Sequence, residues 1–241
     1  MLAIFRKEIA QFFSSPIAYI IMAVFLTATG LLLWVFPDTS LLEAGYADLG
    51  SFFSLTPYVL LFLAPAITMS AIAGEVRAGT LEWLLTKPVS RWGVVVGKFL
   101  ACWLLVALTL LPTLLYYWSL YKLGNPAGNI DSAAVAGSYV GLLLLAGVFV
   151  SVGLWASSLN DNQVVAFVLG GFGCFVLYVA PGALAGAIPG GGGGIGYYLA
   201  SFSLDEQYRA LGRGLIDSRN VIYLGSLISL FLCLTISRLT R

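Results

Sequence analysis

Apolar residues run almost without interruption through six stretches of the chain, at 17–36, 55–73, 93–120, 133–157, 163–188 and 220–237. Each is long enough, as a helix rising about 1.5 Å per residue, to cross roughly 30 Å of hydrocarbon. Because the runs are continuous and do not alternate, they predict helices and not a barrel. Ahead of the first run, Leu2, Phe5, Ile9, Phe12 and Phe13 recur at i, i+3 and i+4 spacing. That pattern predicts an amphipathic helix lying on the membrane surface. Arg6, Lys7 and Glu8 interrupt it, so this segment reads as that helix and not as a cleavable leader. Ser14 or Ser15 can cap the first span, with Pro16 in its first turn. Pro65 and Pro112 should kink the second and third spans.

Two shorter amphipathic stretches lie between spans. In the second inter-span loop, Thr80 as N-cap, the stripe Leu81, Leu84 and Leu85, and the stop at Pro88 predict a short helix of roughly 80–87, parallel to the membrane. Ser90 then caps the third span. In the loop 189–219, the glycine run 190–194 cannot be helix and reads as a flexible connector. Beyond it, Leu204, Tyr208, Leu211 and Leu215 alternate with Asp205, Glu206, Arg209 and Arg213. This predicts a helix resting at the opposite interface, with Tyr197 and Tyr198 at headgroup depth. The fold class is therefore all-α: six transmembrane helices, an N-terminal interfacial helix and an interfacial helix between spans two and three. One membrane domain is expected over 1–241.

Composition agrees and excludes much else. With 60% hydrophobic and 10% charged residues, the chain departs far from the roughly 45–50% and 25% of soluble domains. The net charge of +1 hides an asymmetry. Eight bases (Arg6, Lys7, Arg77, Lys87, Arg91, Lys98, Arg238, Arg241) fall on the side of the termini, against Lys122, Arg209, Arg213 and Arg219 on the other. This bias predicts cytoplasmic termini. Absence of His removes imidazole catalysis and His-ligated metal, and the scattered Cys102, Cys174 and Cys233 read as small hydrophobes. No basic cluster suits nucleic acid.

Gly74 and Gly79 have P-loop spacing, but Thr80 stands where the phosphate-binding lysine belongs, so no nucleotide is expected there. No acidic group lies at mid-depth, which argues against an ion-driven carrier. Nor is there a nucleophile–base pair for an intramembrane enzyme. Lys98, about one and a half turns into span three, is expected to snorkel to the interface as an anchor. Gly137 and Gly141, Gly147 and Ser151, and Gly182 and Gly186 allow close helix packing, within the chain or between subunits. Trp34 to Phe36 and Tyr116, Tyr117, Trp118 and Tyr121 read as interfacial belt residues.

The segment Gly74 to Arg91 is the most distinctive. From its chemistry it is either a plain interfacial loop or a docking element. Its core, Gly79-Thr-Leu-Glu-Trp-Leu-Leu-Thr-Lys-Pro-Val-Ser90, together with the N-terminal helix and six spans, resembles the type-2 ABC transporter permeases. Met1 to Glu8, Phe13 to Ile17, Tyr46 to Phe53 and Leu211 to Tyr223 are similar to the gliding-motility permease subunit of that superfamily. The resemblance implies a permease half without its own ATPase. It implies a cytoplasmic ABC ATPase dimer as partner, carrying ATP and Mg, with no cofactor on this chain. It further implies a second permease subunit with a large periplasmic region, in the bacterial inner membrane. By position, Glu75 to Pro88 would be the coupling region. Within it, from Glu75 onward and with Thr80 as the cap, Arg77, Glu82 and Lys87 would supply charged contacts, and Leu81, Leu84 and Leu85 would pack against the membrane domain or the ATPase groove. A non-transporting membrane scaffold is the alternative reading.

Overall fold

The computed structural model describes residues 1–36, 48–85, 90–124, 128–187, 201–214 and 217–239, with backbone alone for 83–85. In chain order its helices are α1 (Leu2–Ser14), α2 (Pro16–Trp34), α3 (Gly50–Thr68), α4 (Ala73–Arg77), α5 (Thr80–Leu85) and α6 (Arg91–Leu110). A 3-10 turn at Leu111–Thr113 leads into α7 (Leu114–Leu123). Then follow α8 (Ser132–Ser157), α9 (Gln163–Ala187), α10 (Leu204–Leu211) and α11 (Ser218–Leu239). No strand occurs among the described residues. Six helical stretches are long and apolar enough to cross a membrane: Pro16–Trp34, Gly50–Arg77, Arg91–Leu123, Ser132–Ser157, Gln163–Ala187 and Ser218–Leu239. The chain is an all-α polytopic membrane protein. Six crossings return it to the face it started from, called here the near face; the other is the far face.

Local chemistry sets the boundaries. Ser15 Oγ accepts from the Ile17 amide with Pro16 at the first helical position. Ser90 Oγ accepts from the Gly93 amide at the start of α6. Asp131 accepts from the amides of Ala133 and Ala134 at the start of α8. Each supplies an acceptor to amides that have none within the helix. Pro112 breaks the third span into a 3-10 turn, and Thr113 Oγ1 donates to the Leu110 carbonyl at 2.7 Å. Freed backbone groups in lipid need such a partner.

Span four is the central column. Every residue of α8 from Leu145 to Leu154 is buried, as happens when a helix is ringed by others. It packs against α3, α6, α9, α10 and α11. Its small residues are where neighbours come closest. A Cβ on Gly153 would run into the Thr68 hydroxyl, and one on Gly147 would lie 2.9 Å from Ile228 Cδ1. Around that column, α2 and α9 are each only 22% buried, against 61% for α8. They are therefore peripheral, and present Ile17, Ile20 and Val24, and Val164, Val168 and Phe172, outward.

The far-face helix differs from expectation. The amphipathic pattern predicts a helix resting at the interface, yet α10 is packed into the protein, with Leu204, Tyr208 and Leu211 buried. Tyr208 donates to the Phe53 carbonyl at 2.9 Å, and Tyr178 donates to Asp205 at 2.9 Å. Gly137 and Gly141 of α8 make room. A Cβ on the first would strike the Leu211 carbonyl, and on the second would sit 3.1 Å from the Tyr208 ring. For this pair, the small residues serve packing within the chain. A partly open recess of about 360 Å³ remains beside α10; Asp48, Asp131, Arg209 and Arg213 stand on its wall, but its surface is mostly apolar, with Phe53, Ile130 and Val135. Tyr197, Tyr198, Leu215 and the glycine run lie outside the described residues.

Candidate functional site

The second span does not end cleanly. α3 stops at Thr68, residues 69–72 turn, and α4 resumes at Ala73 for five residues. Thr68 Oγ1 donates to the Ala64 carbonyl at 2.9 Å, which keeps its polar group inside its own helix. The turn is held by Ser157, the last residue of α8. Its Oγ donates to the Met69 carbonyl at 3.0 Å and accepts from the amides of Ile72 and Ala73 at 3.2 and 3.0 Å. One hydroxyl on the central column thus satisfies both sides of the break. Gly79, at φ +67°, supplies the left-handed residue that redirects the chain from α4 into α5.

Four charges on three elements converge behind this break. Lys98 of α6 is only 1% exposed. Its Nζ donates to Glu8 Oε1 of α1 at 2.8 Å and to the Ala71 carbonyl in the turn at 2.7 Å. A third contact reaches Glu75 Oε2 of α4 at 2.9 Å, close and ionic but without hydrogen-bond alignment. Lys7 donates to the other Glu75 oxygen at 2.7 Å and lies 3.7 Å from Glu8. Two cations meet two anions, so the group is neutral as a whole. Burial works against the Lys7 charge, but its hydrogen bond to Glu75 and the nearness of both carboxylates outweigh it and raise its pKa.

This corrects the reading of Lys98. The residue does not snorkel; its ammonium turns inward because carboxylates and a carbonyl wait there. α1 is likewise more than a surface helix. Ile4 and Glu8, one turn apart, face α6, and a Cβ on Gly97 would meet Ile4 at 3.2 Å. Sequence reasoning missed Lys7, Glu8, Lys98 and Ser157. A charge deep in a span demands a partner, and that was the available signal.

The predicted site residues are distributed as follows. Glu75 is buried in the charge cluster, whereas Arg77 is exposed and lines a recess of about 250 Å³ with Asp161 and Asn162. Thr80 is the first residue of α5, one position inside the expected cap, and its hydroxyl donates to the Glu75 carbonyl at 3.3 Å. Leu81 is half-buried against the core, and Glu82 is exposed. Leu84 and Leu85 belong to α5, while Lys87 lies outside the described residues. Among the described residues the arrangement brings together ion pairs and hydrogen bonds that fix the backbone. It offers a short exposed helix mounted on a broken span, braced from behind.

A short near-face helix braced on a six-span all-α bundle defines the class as a polytopic membrane protein. The family described as ABC-2 family transporter protein matches residues 2–191, from α1 past the fifth span. The chain belongs to this family, and is the transmembrane permease subunit of an ABC transporter, not its ATPase. Permeases of this family generally work with a cytoplasmic ABC ATPase. Among curated proteins, none matches the chain.

Proposed function

We propose that α4 and α5, residues 73–85, receive the ATPase of the complex and pass its closure into the membrane. The supporting observation is the mounting of this segment. Its outer surface presents Arg77 and Glu82 to solvent, while Glu75 and the turn before it are fixed to α1, α6 and α8. An element that must transmit a push needs a free contact face and a rigid rear attachment. Under this reading the near face is cytoplasmic, which fits its surplus of Lys and Arg. Two ATPase copies bind below, each holding ATP and Mg, and this chain pairs with a second permease subunit bearing a large periplasmic region. The similarity of Met1 to Glu8 and Tyr46 to Phe53 to gliding-motility permeases favours that type of complex, in a bacterial inner membrane.

The test is co-reconstitution with the cognate ATPase. Glu82→Lys and Arg77→Glu should each abolish permease-dependent stimulation of ATP hydrolysis while insertion into the membrane is unchanged. Full stimulation in both would overturn the reading and leave a scaffold as the better account.

A further inference from the structure

The surface of α1 divides into three arcs at about 3.6 residues per turn. Ile4 and Glu8 form the docking arc, buried against α6. Phe5, Ile9, Leu2 and Phe13 form an apolar arc, with Leu2 73% and Phe13 37% exposed. Lys7, Gln11 and Ser14 form a polar arc, and Arg6 stands, exposed, at the border between apolar and polar. An arginine at that border reaches headgroup depth while the apolar arc sits at the acyl boundary. Cationic residues in this position are drawn to anionic headgroup phosphates.

The same helix is wired to the broken span. Glu8 and Lys7 bind Lys98 and Glu75, and Lys98 also holds the Ala71 carbonyl of the turn. Separating these groups would strand charges out of water, so the tie stays closed when either end is displaced. We propose that α1 reads the anionic lipid of the near leaflet and, through the Lys98 cluster, sets the position of α4 and α5. Lipid and docking segment are then two ends of one lever, and influence between them is reciprocal. The significance for transport rests on the coupling role proposed above; the lever itself does not.

The test uses the full chain in nanodiscs, without any ATPase, so that failure of the coupling reading leaves it undisturbed. Spin labels are placed at Glu82 in α5 and Asn160 after α8, both exposed, on a Cys233→Ser background. Their distance is measured in phosphatidylcholine alone and with phosphatidylglycerol added. The expected result is a shift of the distance distribution on adding the anionic lipid. Lys7→Met with Glu8→Met cuts both ties of α1 and leaves Lys98 and Glu75 as a balanced pair; the shift should be lost. No shift in the wild type, or an equal shift in the double variant, would overturn the proposal. A far-face pair at Ser54 and Ser218, both exposed, reports whether the double variant keeps its fold. If it does not, Arg6→Gln decides, since it leaves the cluster whole: a lost shift supports the lever, a full one overturns it.

Discussion

Lys98 shows how far one residue can depart from its pattern. By position it sits near the start of an apolar span, where a lysine ordinarily reaches out to water. Here the partners lie inside, and breaking such a buried group by removing one member costs about 3–5 kcal/mol. Lys98→Met should therefore be severely destabilising, because it leaves two buried carboxylates, Glu8 and Glu75, to the single half-exposed Lys7. The double variant Lys7→Met with Glu8→Met should cost much less, because it leaves a neutral pair. Unfolding in micelles by a graded denaturant checks the order; equal losses would show that the cluster is not coupled. None of this was legible in the chain. The partners of Lys98 and Lys7 are 90 and 68 positions away, and no local periodicity carries that distance. Only the demand for a partner was readable, not its identity.

Elements were legible where a cap and an apolar run coincide. Ser15 and Ser90 mark helix starts by chemistry that acts within three residues. The site helix α5 was readable for the same reason, since Thr80 and the stripe Leu81, Leu84 and Leu85 lie close together in the chain. α10 marks where that reasoning ends. Its alternation told which face is apolar, but an apolar face can meet lipid or protein equally well. Its choice of protein was written in Gly137 and Gly141, a helix away, as space for Leu211 and Tyr208. Gly137→Val should accordingly lift α10 from α8. A cysteine placed at buried Leu204, on the Cys233→Ser background, should be inert to a membrane-impermeant maleimide in the parent and labelled in the Gly137→Val variant. Continued protection would mean that α10 is held by its tyrosine hydrogen bonds alone.

At the scale of the molecule, the bundle keeps its polar groups to itself. Thr29, Thr56, Thr68, Thr109 and Thr235 each donate to the carbonyl four residues back in their own helix. Ser151 donates to the Val148 carbonyl, three residues back. A hydroxyl spent on its own backbone does not line a polar route. Replacing Thr29, Thr56 or Thr109 with Val should thus shift stability by no more than about 1 kcal/mol and leave any transport by the complex near its parent rate. A large loss of transport in one of them would place that side chain on the conducted path.

The burial of α8 also bears on how the protein is made. Its glycine faces are filled by α3, which is synthesised before it, and by α10 and α11, which are synthesised after it. Ile228 reaches Gly147 only from the final span. Until residues 204–239 have followed, the grooves at Gly137, Gly141 and Gly147 stay unfilled. The packing around α8 is completed only once α11, two spans further along the chain, has reached it.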